Sequence, residues 1–161
     1  MEIRQASAVD AKAIAALIHD TALQFITPEL SPEATAHFLQ GNNEAAVAGF
    51  IQQGFIYFVA EHEGIAGVEL MGCIGMRNLS HIYHLFVAEV WQRQGLGRRL
   101  WQHAMAYCVA RGHLDVFTVN SSNHAVAMYQ ALGFVATHPM QQLNGVWFNP
   151  MQLDLRSIVS L

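Results

Sequence analysis

Apolar positions along the chain change period several times, and each change marks an element. Residues 1–5 alternate as a short first strand. Ala13, Ile14, Leu17 and Ile18 then recur on one side of a helix for which Asp10 is a candidate N-cap. Ser31-Pro32-Glu33 is a second helix start, with a capping serine, proline at the first helical position and an acid in the first turn. That helix should stop near Gly41, and another, Glu44 to Gln53, should stop at Gly54. Phe55 to Ala60 reads as an apolar strand, Glu61 to Gly64 as a turn, and Val68 to Arg77 as the next strand, with Gly72 and Gly75 inside it. Asn78 and Ser80 turn the chain into a strand over residues 82–87, whose Ile, Tyr, Phe and Val suit a half-buried pleated surface.

A glycine-rich turn follows, Gln92-Arg93-Gln94-Gly95-Leu96-Gly97. Leu96, Leu100, Ala104 and Cys108 then fall four apart on one helix face, and Gly112 is the stop. Leu114 to Val119 and Val146 to Leu155 are later strands, with Pro139 and Asn144-Gly145 between them as breakers. Hairpins come early and a strand-helix unit late. The fold class expected is therefore α/β, an α+β mixed sheet in a single domain over residues 1–161.

A strand that runs through such a turn into a helix is suited to holding an anion. The first helical amides have no intrahelical partner and carry the positive end of the dipole, and glycine lets a phosphate approach the backbone. Arg93, Arg98 and Arg99 add charge there, against a net charge of −4. A tight turn before a solvated helix face is the alternative. The turn is neither a Walker loop, since no Gly-Lys-Ser/Thr follows, nor the dinucleotide fingerprint, whose third glycine is replaced by Leu100.

Composition narrows the classes. A net charge of −4 with Lys12 as the single lysine argues against nucleic acid as a partner. The chain is 53% hydrophobic, yet no apolar run is long enough to span a bilayer. Residues 1–10 lack the basic and apolar regions of a signal peptide, so a cytoplasmic protein is expected, with no membrane partner. Cys73 and Cys108 read as reduced core residues. Charged residues are only 12% of the chain, which points weakly to a homodimer, a well-filled core being the competing explanation. Nine histidines suggest metal, but His81 and His84 alternate across a strand and no H-x-x-x-H sits on a helix, so no metal is expected.

The strand, the Gln92-x-x-Gly95-x-Gly97 turn and the helix resemble the acyl-CoA-binding motif of the GNAT superfamily of acetyl-CoA-dependent N-acetyltransferases. Asn120 to Phe134, a short helix bearing Tyr129 and ending in Leu-Gly-Phe, is similar to that family's later motif. Order and separation agree, and the pair is far more specific than either motif alone. The resemblance implies a central mixed sheet of about six or seven strands flanked by about four helices, with acetyl-CoA as cosubstrate. It implies acetyl transfer to a primary amine of a small molecule or peptide, by direct transfer in a ternary complex. A non-catalytic acyl-CoA sensor or interaction module is the alternative.

Carried over residue by residue, the main chain of Leu85, Phe86 and Val87 would hold the pantetheine and thioester. The turn amides of Gln92, Arg93, Gln94, Gly95, Leu96 and Gly97, with Arg98, would receive the pyrophosphate. Asn123 would cap the helix, contact the cofactor, or both. Tyr129 would be the general acid for the thiolate, a packed core tyrosine being the other reading. On a regularly alternating strand, His81, Tyr83, Leu85 and Val87 share one face and Ile82, His84 and Phe86 the other. That parity would put His81 on the acceptor side as general base, directly or through water, and leave His84 structural.

Overall fold

The computed structural model describes residues 1–113 and 115–159. Its described strands are β1 (Glu2–Gln5), β2 (Ile56–Gly64), β3 (Gly67–Arg77), β4 (His81–Val87), β5 (Val116–Ser121), β6 (Val135–Ala136), β7 (Gln141–Leu143) and β8 (Val146–Asp154). The α-helices are α1 (Ala11–Phe25), α2 (Pro32–Gly41), α3 (Glu44–Gln52), α4 (Leu96–Ala110), α5 (Val126–Ala131) and α6 (Leu155–Val159). The strands form one open sheet in the order β1-β2-β3-β4-β5-β8-β6, with β7 also paired to β8. The expected mixed α/β class is what the chain adopts. The strands and helices beyond the expected numbers are mostly short pieces, β6, β7 and α6, too brief to leave a periodic signal.

The first four strands are antiparallel neighbours, and β4 meets β5 in parallel. One face of the sheet packs on α4, in a core that includes Phe58, Ile74, Ile82, Leu100 and Phe117. The other face packs on α1 and α3, around Ile14, Ile18, Val47, Tyr57 and Cys73. The four-residue apolar spacing in α4 is borne out: Leu96, Leu100, Ala104 and Cys108 are all buried.

Local boundaries differ from expectation for identifiable reasons. Residues 61–64 continue β2 instead of turning, because Glu61 to Gly64 pair with β3 and the turn falls at residues 65–66. Asp10 does not cap α1 with its side chain. Its carboxylate accepts the Ser7 N–H at 2.8 Å and two bonds from Arg4, so the acid serves the preceding turn and β1. Ser31 caps α2 as expected, accepting from the Ala34 N–H at 3.1 Å. The expected start of the later strand at Leu114 lies outside the described residues.

Gly72 and Gly75 sit inside β3 because neighbouring side chains occupy the space a Cβ would need. At Gly75 that Cβ would overlap the ring of Tyr57, itself 1% exposed. Gly75→Ala is therefore expected to cost about 1–3 kcal/mol through overpacking. Gly41→Ala, where a Cβ meets nothing within 4 Å, should be neutral or slightly stabilising. Urea denaturation of the two variants checks this, and equal midpoints would contradict it.

Candidate active site

The site begins where the sheet comes apart. β4 and β5 share only two register pairs, His81 with Thr118 and Ile82 with Val119. The next residue, Tyr83, is an extra residue in β4: Gly75 faces His84 while Met76 faces Ile82. A bulge bends its strand and alters the twist, so β4 leaves β5 just past this point. The edge of β4 from Leu85 to Val87 has no strand partner on the β5 side. A cavity of about 560 Å³ opens there, lined by that edge, by Arg93, Gly95, Gly97 and Arg98 of the turn, and by α5.

The turn is built to present amides. Arg93 (φ 62) and Gly95 (φ 81) are left-handed, and α4 starts at Leu96. Left-handed residues next to right-handed ones direct successive N–H groups into one concavity, an anion-binding nest. The Gln92 N–H is used by the Glu89 carbonyl at 3.1 Å, and the Arg99 N–H by the Gly95 carbonyl at 3.1 Å. Among the described residues, the amides of 93–98 between them meet no protein acceptor. The Gln92 side chain donates to the Val87 carbonyl at 2.9 Å, fastening the turn to the end of β4.

A second cavity, of about 410 Å³, meets the first at Ile26, Leu85, Phe86, Ser122 and Ala125. It is walled by α2, β4, β5 and the β7–β8 hairpin, and Tyr129 of α5 lines it. Tyr129 is 4% exposed, and burial pushes its phenol well above the usual range, so it stays protonated at neutral pH. Its hydroxyl makes no hydrogen bond among the described residues. No buried side-chain oxygen or nitrogen lacks a partner there, so that hydroxyl is reached from the cavity.

His84 lines the same cavity but has no free nitrogen. The Asn42 amide donates to the Phe38 carbonyl at 2.8 Å, which turns its Oδ1 toward His84 Nε2 at 2.7 Å. Nε2 must therefore donate, and Nδ1 accepts from the Tyr57 hydroxyl at 2.7 Å. Every polar atom in this chain is spent, and it ties α2 to β4 and β2. Burial pushes His84 down to about 3.

The strand parity expected for His81 is corrected by the bulge. Ile82 packs with Leu85 and Val87 on the α4 side, whereas Tyr83 meets the rings of Phe50 and Phe55, and Phe86 packs on the α1 side. His81 therefore does not share a face with Leu85 and Val87, and it lines neither cavity. Its Nδ1 lies 2.7 Å from Thr118 Oγ1, and burial together with Arg77 pushes it down to about 4.

Of the other expected residues, Leu85, Phe86, Val87, Gln92, Arg93, Gly95, Leu96, Gly97 and Arg98 all come together around the first cavity. Gln94 lies outside it, its side chain donating to the Val90 carbonyl. Asn123 does not cap a helix. It donates to Glu29 at 3.0 Å, accepts from Asn149 at 2.8 Å, and lines neither cavity. Sequence reasoning missed Phe25 and His124, which stack at 4.1 Å in the wall of the first cavity, and Trp147 and Phe148 of the second. The only nearby signal was Asn144-Gly145, the turn that leads into the strand bearing Trp147 and Phe148.

The profile of the acetyltransferase (GNAT) domain matches residues 26–155. No curated protein matches the sequence. The fold is similar to that of a GCN5-related N-acetyltransferase from Rhodopseudomonas palustris, at TM-score 0.76 and 21% identity, covering 96% of this chain and 95% of that one. It is also similar to the PaiA N-acetyltransferase of Thermoplasma acidophilum, solved in complex with coenzyme A, at 0.73 and 14%, covering 96% and 99%. A third likeness is to yncA from Salmonella typhimurium, solved with its cofactor acetyl-CoA, at 0.65 and 22%, covering 96% and 94%.

The buried imidazole gives the site a pH signature. Below about pH 6.5 the unfolded chain takes up a proton that folded His84 refuses until about pH 3, so stability is full above 6.5 and falls as pH drops. Over the two units to pH 4.5 the loss is on the order of 2–3 kcal/mol. His81 acts in the same direction. Denaturation at pH 7 and 4.5 should show a loss in the wild type that shrinks in His84→Gln to the share that His81 keeps. An equal loss in both would contradict the assignment.

Proposed function

The chain belongs to the GNAT acetyltransferase family, and from that membership we propose that it moves an acetyl group from acetyl-CoA to a primary amine of a small molecule or peptide. The transfer is direct, in a ternary complex, and is carried out within a single domain. The observation that carries this reading is the set of free amides at residues 93–98, at the mouth of a cavity that leads along an unpaired strand edge toward Tyr129.

The nest, with Arg93 and Arg98 beside it, fits a pyrophosphate. The open edge at Leu85–Val87 offers main-chain groups to the amides of a pantetheine arm. When bound, acetyl-CoA supplies the thioester carbonyl that the amine attacks. The cavity junction at Leu85 and Phe86 sets the amine and thioester face to face, which lowers the entropic part of the barrier. As the N–C bond forms and the C–S bond breaks, Tyr129 gives its proton to the leaving sulfur. The proton released by the amine returns through water to the phenol, leaving an amide and a free thiol.

A covalent acyl-cysteine has no support. Burial pushes the Cys73 and Cys108 thiols up to about 12 and 11, and neither lines a cavity. For the acceptor's proton we assign water rather than His81, whose ring is turned to Thr118. A cytoplasmic location and a homodimer stay within this reading. The first is supported by two free buried cysteines, and the second by the exposed apolar side chains of Val135, Met140 and Leu143. Among the described residues no helix is long and apolar enough to cross a membrane.

Tyr129→Phe keeps the ring and its edge-on contact with Phe134 at 5.5 Å while removing the hydroxyl. It should lower kcat by about 10²-fold with little change in CoA affinity, and His81→Ala should leave the pH profile of kcat/KM in place. Unchanged turnover per folded molecule in Tyr129→Phe would return this residue to simple packing.

A further inference from the structure

The second cavity differs from the first in its charge. The first has two arginines, whereas among the described residues the lining of the second includes no Asp, Glu, Lys or Arg. The two imidazoles there, His37 and His84, cannot neutralise a cation, and His84 is already committed on both nitrogens. Aromatic rings come from four sides, Phe38 of α2, Tyr83 of β4, Tyr129 of α5, and Trp147 and Phe148 of β8, beside neutral Asn120, Ser121, Ser122 and Asn144.

These rings are held in place from behind. Tyr83 is 36% exposed, yet Phe50 and Phe55 meet it edge-on at 4.9 and 5.2 Å. Trp147, 37% exposed, stands beside the hairpin turn. That turn has Asn144 and Gly145 left-handed and presses so closely on α2 that a Cβ at Gly145 would lie 2.8 Å from Ala34 Cβ. Asn42, tied to His84, fixes the other end of α2. The result is a preformed aromatic slot with Tyr129 in its wall.

We propose that this slot takes a monoamine with an uncharged aromatic body, an arylalkylamine, and discriminates against polyamines and amino acids. The inference rests on the reading above, in which the second cavity holds the acceptor. An aryl group finds ring faces to stack on, and its single ammonium finds electron-rich rings during entry. Once inside, the amine has no carboxylate to keep it charged, and desolvation favours the neutral form that attacks. A second ammonium on a polyamine would be stripped of water and would meet no carboxylate to balance its charge. The carboxylate of an amino acid would meet no arginine or lysine.

The test uses the full chain and two measurements. Calorimetry first establishes CoA binding. Thiol release from acetyl-CoA is then followed with tryptamine, phenethylamine, spermidine and tryptophan, with product mass confirmed. The kcat/KM for tryptamine should exceed those for spermidine and tryptophan by at least about tenfold, the scale on which an unpaired buried charge discriminates. Trp147→Ala, at a partly exposed site, should raise the KM for tryptamine severalfold and leave the Kd for CoA unchanged. Spermidine or tryptophan matching tryptamine would overturn the proposal, as would CoA binding with no arylalkylamine acetylated. Failure to bind CoA at all would overturn the acetyltransferase reading, and this proposal with it.

Discussion

The structure depends on one break in hydrogen bonding. Strands β4 and β5 are neighbours in a sheet but pair at only two positions, and a sheet edge left without a partner must be covered or put to use. The bulge at Tyr83 turns β4 away, the Gln92 side chain fastens the next turn to Val87, and α4 starts from a left-handed glycine. From this one divergence come both cavities, the unpaired edge and the amide nest. The helices on the two faces hold the halves of the sheet in place, so the gap cannot close by collapse.

The two cavities use opposite electrostatics for one reaction. The first gathers dipoles and arginines, which suits a phosphorylated cosubstrate. The second has no charged side chain among the described residues and combines aromatic rings with neutral Asn and Ser side chains, which suits a nucleophile that must lose its charge. His84, Asn42 and Tyr57 lie between these functions and the core. His84 bonds to both of the others and Asn42 also donates to the Phe38 carbonyl, so the slot is rigid without offering a competing base. The net charge of the chain, −4, says nothing about either cavity.

Much of the fold was legible because it is written in local periods and stop signals. The α4 face, the α2 cap and the glycine turn each depend on residues within a few positions of one another. The nest was legible for the same reason. The parity of β4 was not, because a bulge is set by pairing with β3 and leaves no mark in an apolar run such as Ile82 to Val87. That single extra residue moved His81 off the face that alternation assigned to it. The stack of Phe25 on His124, the Asn123–Glu29 bond and the aromatic slot join residues distant in sequence, which no local pattern reports. Gly75 falls between these cases. Its place inside a strand is visible in the sequence, but only the fold shows the close approach and identifies Tyr57 as the neighbour.

The central claim is that the amides of residues 93–98 and the open edge at Leu85–Val87 receive the cosubstrate. Residue-resolved amide hydrogen exchange, with and without saturating CoA, tests it most directly. The amides of 93–98 are unpaired in the free protein and the Leu85–Val87 edge has no strand partner on the β5 side, so binding should slow exchange within both segments by at least about tenfold. Binding of CoA with exchange there unchanged, or with protection confined to other parts of the sheet, would contradict the account.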